Sequence, residues 1–230
     1  RDRSVSRGLG DVYKRQSDYL VKFAKDRNLW VYQDESNNVI IKKEGSEGAK
    51  DKAPVMLQGH IDMVCDKLAG VEHDFEKDGL DLIVKDGVLY ANGTTLGADN
   101  GVAVALMMTV LDDKELEHPP VECVFTTSEE IGLNGAQALD KSQITARTMI
   151  NMDSEEEGVA TVSCAGGLRV QLTRKIERVQ AEGTLVQIKA EGLLGGHSGT
   201  DIDKERQNAN LLMARMADLS LIHISEPTRH

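Results

Sequence analysis

The sequence predicts an α/β fold built on a mixed, mainly parallel sheet flanked by helices. Three observations carry this expectation. Short apolar runs bounded by turn residues recur at residues 55–58, 121–126 and 147–152, the pattern of central parallel strands. Helix-like stretches alternate with them, as in a sheet joined by crossover helices. An apolar content of 40% in 230 residues is enough to build the core of one large domain or two small ones.

Taken in order, residues 17–28 read as a helix, with Tyr19, Leu20, Phe23 and Ala24 on one side. Residues 29–32 and 37–42 read as two short strands around a polar turn. Residues 45–52 form a polar loop. Residues 55–58 form a central strand that ends at Gly59 and His60. After a polar excursion over 71–81, residues 82–84 and 88–90 flank Asp86-Gly87, a hairpin signal. A Gly-rich loop over 91–100 leads into a helix at 101–111, apolar enough to be buried on most faces. Pro119 and Pro120 restart the chain. A strand at 121–126, a helix at 131–139 and a strand at 147–152 follow, the last ending at Asp153.

The pattern changes after Gly166-Gly167. Residues 168–177 and 184–190 alternate between apolar and polar and read as strands with one exposed face. Residues 192–200 are a Gly-rich loop, and 208–219 an amphipathic helix. The expected domains are therefore 17–166 and 167–219, with no internal repeat. The two ends do not continue the periodicity beside them. RDRSVSRGLGDVYKRQ (1–16) and SLIHISEPTRH (220–230) both resemble translated sequencing-adapter sequence. They are read as non-native tails, so His223 and His230 are not counted as ligands. The natural chain is expected to cover roughly 17–219 and to be a piece of something longer.

With 27 basic and 38 acidic side chains the formal charge is −11. That argues against nucleic acid as a partner, because phosphate binding needs a basic face. It argues more weakly against anionic membranes. Three widely spaced cysteines with no CxxC pair fit a reducing, cytoplasmic setting better than a disulfide framework. Cys123 and Cys164 lie in strand-like runs and are read as small buried apolar residues. No apolar run approaches transmembrane length, and no signal peptide is visible, although an altered start would hide one.

The chemistry lies where apolar runs end. His60 and Asp62 close VMLQGHIDM, Asp99 sits in TTLGADNGVA, Glu129 and Glu130 close VFTTSEEIG, and Asp153 follows MINM. Ligands at the ends of successive strands belong in the crevice beyond the sheet's carboxyl edge. Hard cations take oxygen ligands, and Zn²⁺ accepts imidazole with carboxylate. Alternation puts His60 and Asp62 on one side if the extended chain continues through Ile61. Asp99 can cap the following helix or bridge two cations. In the Glu129-Glu130 pair, repulsion is relieved if one acid binds metal and the other stays free to accept a proton. Glu155, Glu156 and Glu157 read as a solvated acidic turn.

With these residues in this order, the chain closely resembles the M20 metallopeptidase family, specifically its cytosolic aminoacyl-histidine dipeptidase branch, over residues 17–219. The resemblance implies a zinc-peptidase-like catalytic domain followed by the start of an α+β lid and dimerisation domain. It implies that His60, Asp99 and Asp153 hold one metal, that Asp99 bridges to a second, and that Glu130 binds the second. Glu129 would be the general base, and Asp62 would orient His60. GGHSG at 195–199 is similar to a lid loop whose histidine binds substrate, which makes His197 the candidate; an exposed loop histidine is the alternative. The implied cofactors are two Zn²⁺ ions, with Co or Mn as substitutes. The implied partners are a dipeptide or other small peptide and a second copy of the full-length chain, with no nucleic acid and no membrane.

The chain departs from the family in one respect. Family members are considerably longer, and nothing here matches the segment that brings the last histidine of the second metal. His73 and His118 lie in charged loops and are poor substitutes. This fragment by itself is therefore expected to be incomplete or inactive. Deacylation of N-acyl amino acids on the same fold is one alternative. A noncatalytic metal-binding or interaction fragment is the other, although retention of Glu129 and Asp62 favours catalysis in the parent.

Overall fold

The computed structural model describes residues 5–154, 157–164, 166, 170–180, 182–184, 187–196 and 201–225. The chain divides into two units, residues 1–164 and 165–230. In the first, strands β1 (Trp30–Gln33), β2 (Val39–Lys43), β3 (Val55–His60), β6 (Val121–Thr126) and β7 (Thr148–Asn151) form one sheet in the order β1-β2-β6-β3-β7. The β1–β2 and β2–β6 pairs are antiparallel; β6–β3 and β3–β7 are parallel. The sheet is thus mixed, with its parallel part at the end that matters for chemistry. Strands β4 (Leu82–Lys85) and β5 (Val88–Ala91) make a separate hairpin. Asp86 and Gly87 both take positive φ, 53° and 77°, as a two-residue hairpin turn requires.

The sheet is rich in β-branched residues, and its two faces are buried for different reasons. Val39 and Ile41 of β2 point the same way as Val121, Cys123 and Phe125 of β6. They form one core with Leu20, Phe23 and Ala24 of helix α1 (Val5–Asp26) and with Met107 and Leu111 of helix α2 (Ala98–Asp112). On the other face Ile40 and Val124 are fully buried, and Glu122 is buried beside them. The Glu122 carboxylate takes Lys42 at 2.9 Å and the N–H groups of Thr145 and Ala146. Burial pushes its pKa up, but these partners hold it below the usual carboxylate range.

Several elements differ from expectation. Helix α1 begins at Val5 rather than at residue 17, because Tyr13 and Ser17 continue the buried stripe of Leu20 and Ala24 at helical spacing. Helix α2 is buried on one face only. Asn100, Ala103, Met107 and Leu111 face inward, whereas Val102 and Leu106 are exposed, since among the described residues the sheet meets just one side. The short helix α3 covers Asn134–Ala138. Cys123 is buried as expected, but Cys164 is exposed. In the second unit, residues 170–180 and 187–191 form no strand. Alternation decides which face a side chain takes, but a strand exists only with a ladder partner. Among the described residues none pairs with them, and Leu172 stands 92% exposed. Helix α4 spans Ala209–Ser225. No helix among the described residues is long and apolar enough to cross a membrane.

Helix α2 approaches β3 at Gly59. A Cβ there would lie 2.9 Å from Ala103 Cβ and 3.3 Å from Met107 Cε. Gly59→Ala is expected to lower stability by about 1–3 kcal/mol through overpacking, read as a lower urea midpoint. An unchanged midpoint would contradict the close approach.

Candidate metal centre

Because β6, β3 and β7 run parallel, their carboxyl ends share one edge of the sheet. Such edges are where open α/β sheets bind ligands. Strand β3 continues through Gly59 to His60, and Asp62 lies two residues further on, after Ile61. The turn after β6 carries Glu129 and Glu130, the segment after β7 carries Asp153, and the start of α2 carries Asp99. Just beneath, side chains tie the three strands together. Gln58 Nε2 donates to Thr126 Oγ1 at 3.1 Å, and Asn151 Nδ2 donates to Gln58 Oε1 at 2.5 Å.

His60 is the buried centre of the group, 1% exposed. Its Nδ1 lies 2.8 Å from the main-chain oxygen of Asp62. An Nδ1–H donating there leaves Nε2 directed at the carboxylates, as metal-binding imidazoles require. Nε2 is 3.0 Å from Asp99 Oδ1 and 3.9 Å from Asp153 Oδ2. Ligand atoms of His60, Asp99 and Glu130 all lie within 4.8 Å of one another. Asp99 reaches this position because α2 is irregular at its start. Gly97 is left-handed, and Asp99 and Asn100 have non-helical dihedrals, so the regular helix begins at Gly101.

Asp62 does more than orient the imidazole. Its carbonyl is the acceptor for the ring, with the carboxylate Oδ1 farther away at 3.4 Å from Nδ1. The two carboxylate oxygens instead accept the backbone N–H groups of Glu129 and Glu130, at 3.1 and 3.2 Å. One buried aspartate therefore links the ring at the end of β3 to the acidic turn after β6. Burial raises its pKa, but the His60 contact and those two N–H groups bring it below the usual range.

Five carboxylates surround this one imidazole, and the pKa shifts of His60, Glu129 and Glu130 record it. Burial pulls the His60 pKa down, yet the hydrogen bond and charge of Asp62, the charge of Asp153 and the Asp99 contact push it up to about 9. Glu129 is raised by burial and, against the opposing His60, by the charges of Asp153, Asp62 and Asp99. Glu130 is raised by burial and by Asp99 and Glu129. The donor set fits a divalent cation on chemical grounds. Ligands sharing a tetrahedral Zn²⁺ lie about 3.3 Å apart, given bonds of about 2 Å, and the two carboxylate distances from Nε2 bracket that value.

The cluster includes neither histidine of the charged loops. His73 packs edge-on against Phe75, with ring centroids 4.5 Å apart. His118 is buried, with Nδ1 2.8 Å from the Pro119 carbonyl. His197 lies outside the described residues. Sequence reasoning missed Asn38 and Thr127, which hold the acidic turn from behind. Asn38 reads in the sequence only as part of the strand expected at 37–42.

Fold and site together define an α/β protein with a cluster of His60, Asp99 and Glu130, able to hold a metal ion, at the carboxyl edge of its sheet. The profile of peptidase family M20/M25/M40 matches residues 56–228, and the chain belongs to that family. It is 38% identical over 201 residues to the cytosol non-specific dipeptidase of Escherichia coli, covering 86% of this chain and 41% of that protein. The structure is similar to that of the aminoacylhistidine dipeptidase from Vibrio alginolyticus, with a TM-score of 0.63 and 31% identity, covering 91% of this chain and 45% of that one. A Staphylococcus aureus tripeptidase shares the fold at a TM-score of 0.50 and 24% identity, over 60% of this chain and 37% of its own. The chain thus spans less than half the length of these relatives.

The charge arrangement makes stability depend on pH when no metal is present. A folded His60 pKa of about 9, above the ordinary 6.5, gives a contribution that is full below pH 6.5 and lost as pH rises through 9. The raised Glu129 and Glu130 act in the same direction at lower pH. In chelator, the urea midpoint is expected to fall between pH 6.5 and 9, and His60→Gln should flatten that fall. A midpoint that climbs across this window would contradict the arrangement.

Proposed function

We propose that this chain carries the catalytic residues of a metallodipeptidase whose whole length hydrolyses dipeptides or other small peptides. The observation that carries the reading is the turn after β6. It places two adjacent acids beside one buried imidazole, with both of their N–H groups held by Asp62. A passive metal site needs one of these acids, whereas hydrolysis needs both. The dipeptidase activities named for the Escherichia coli and Vibrio relatives support the same reading.

In this proposal His60, Asp99 and Asp153 would hold one divalent cation, and Glu130 and Asp99 would serve a second. Zn²⁺ is the first choice, with Co or Mn as substitutes. Bound there, the cations would supply Lewis acidity, making a water more acidic and a scissile carbonyl more electrophilic. Glu129 would take the proton of the attacking water on a carboxylate oxygen and return it to the leaving amine. Asp62 would keep His60 in the ligating tautomer and fix the backbone under Glu129 and Glu130. His197 would bind the substrate and steady the tetrahedral intermediate. The full protein would act as a cytoplasmic homodimer.

The test uses a protein extended to the length of its relatives, assayed for metal content and for hydrolysis of a dipeptide panel that includes Xaa-His. Turnover with bound metal is the expected result. Metal without dipeptide turnover, but with cleavage of N-acyl amino acids, would replace the substrate assignment. Glu129→Gln is expected to retain the metal and to lower kcat by about a hundredfold or more. Unchanged turnover would remove Glu129 from the base role.

A further inference from the structure

We infer that Asn38, which touches neither acid, is a positioning residue for Glu129 and Glu130. This rests on the roles proposed above for those two residues. Asn38 sits just before β2, is 1% exposed, and spends its whole side-chain amide on the acidic turn and its own loop. Its Oδ1 accepts the N–H of Thr127 at 3.0 Å, and its Nδ2 donates to the Gly135 carbonyl at 3.0 Å. One planar group therefore grips both ends of the segment that carries the two acids. The same Nδ2 donates to Asp34 Oδ2 at 2.8 Å, while Asp34 Oδ1 accepts the N–H groups of Ser36 and Asn38. Thr127 Oγ1 closes the network by donating to the Ser36 carbonyl at 2.9 Å.

The segment needs such a grip. Between Thr127 and Gly135 the chain takes positive φ at Ser128 (55°), Gly132 (116°) and Leu133 (60°). Left-handed conformations at Ser and Leu persist only where their surroundings enforce them. The two ends are pressed together, since Gly135 N–H donates to the Thr127 carbonyl at 3.1 Å. A Cβ on Gly135 would meet that oxygen at 2.1 Å and Asn38 Oδ1 at 2.8 Å. Asp62 holds the middle of the turn and Asn38 holds its ends. Without Asn38 the N–H of Thr127 and the carbonyl of Gly135 lose their shared partner. The turn then relaxes, and the two carboxylates lose their fixed places beside His60.

Hydrogen–deuterium exchange and Zn²⁺ titration of this chain, unaltered and as Asn38→Ala, test the inference. Asn38→Ser serves as a milder variant where alanine prevents folding. Exchange at the amides of Thr127, Glu129 and Glu130 is expected to rise about tenfold or more, with little change at Cys123 in β6 or Met107 in α2. Zn²⁺ affinity is expected to fall about tenfold, the usual scale for losing a group that positions a ligand. Exchange that stays at the unaltered level, or that rises equally at Cys123 and Met107, would overturn the positioning role. So would unchanged Zn²⁺ affinity in a variant whose turn has loosened. An unaltered chain that takes up no Zn²⁺ would sink the metal reading instead, and the exchange pattern would still decide whether Asn38 fixes the turn.

Discussion

Like charges gathered around a buried imidazole repel one another, and the first unit of this protein is arranged around that fact. At 4 Å two unit charges near a protein surface repel by about 4 kcal/mol, and here Asp62, Asp99, Glu129, Glu130 and Asp153 all act on His60 or on each other. The parallel run β6-β3-β7 is what brings them to one edge. The side-chain ties among Thr126, Gln58 and Asn151 keep those strand ends level. The broken start of α2 lets Asp99 reach over the edge instead of pointing along a regular helix.

Glu122 shows what a structural acid looks like in the same sheet. It is buried on β6, yet Lys42 and the N–H groups of Thr145 and Ala146 satisfy it, and its pKa is lowered despite burial. Glu129 and Glu130 follow the same strand, and both have raised pKa values. Their backbones are held by Asp62, while the charges of neighbouring acids act on their carboxylates. A buried acid with its own partners stabilises a fold. An acid held in place among other acids is set up to meet a cation or a proton.

Much of this was legible in the sequence because strand ends carry two signals at once. The apolar runs before His60, Glu129 and Asp153 mark buried parallel strands, and the acids mark where those strands leave the core. Asp86-Gly87 was legible for a different reason, since few residues tolerate two successive left-handed conformations. What stayed hidden depends on partners in space. The alternation in residues 170–180 and 187–191 could not show that no ladder partner lies among the described residues. Cys164, read as buried, is exposed because it belongs to no strand. The main-chain role of Asp62 and the amide grip of Asn38 involve no periodicity, and only the folded chain brings Asn38 to Gly135.

The central claim is that His60 and the surrounding carboxylates form one centre for a divalent cation. Anomalous diffraction at the zinc edge, on crystals of this chain grown with Zn²⁺, tests it most directly. The account predicts a peak about 2 Å from His60 Nε2 and from a carboxylate oxygen of Asp99, with Asp153 or Glu130 completing the site. A crystal saturated with Zn²⁺ that shows no peak beside His60, or peaks only at other surface acids, would contradict it.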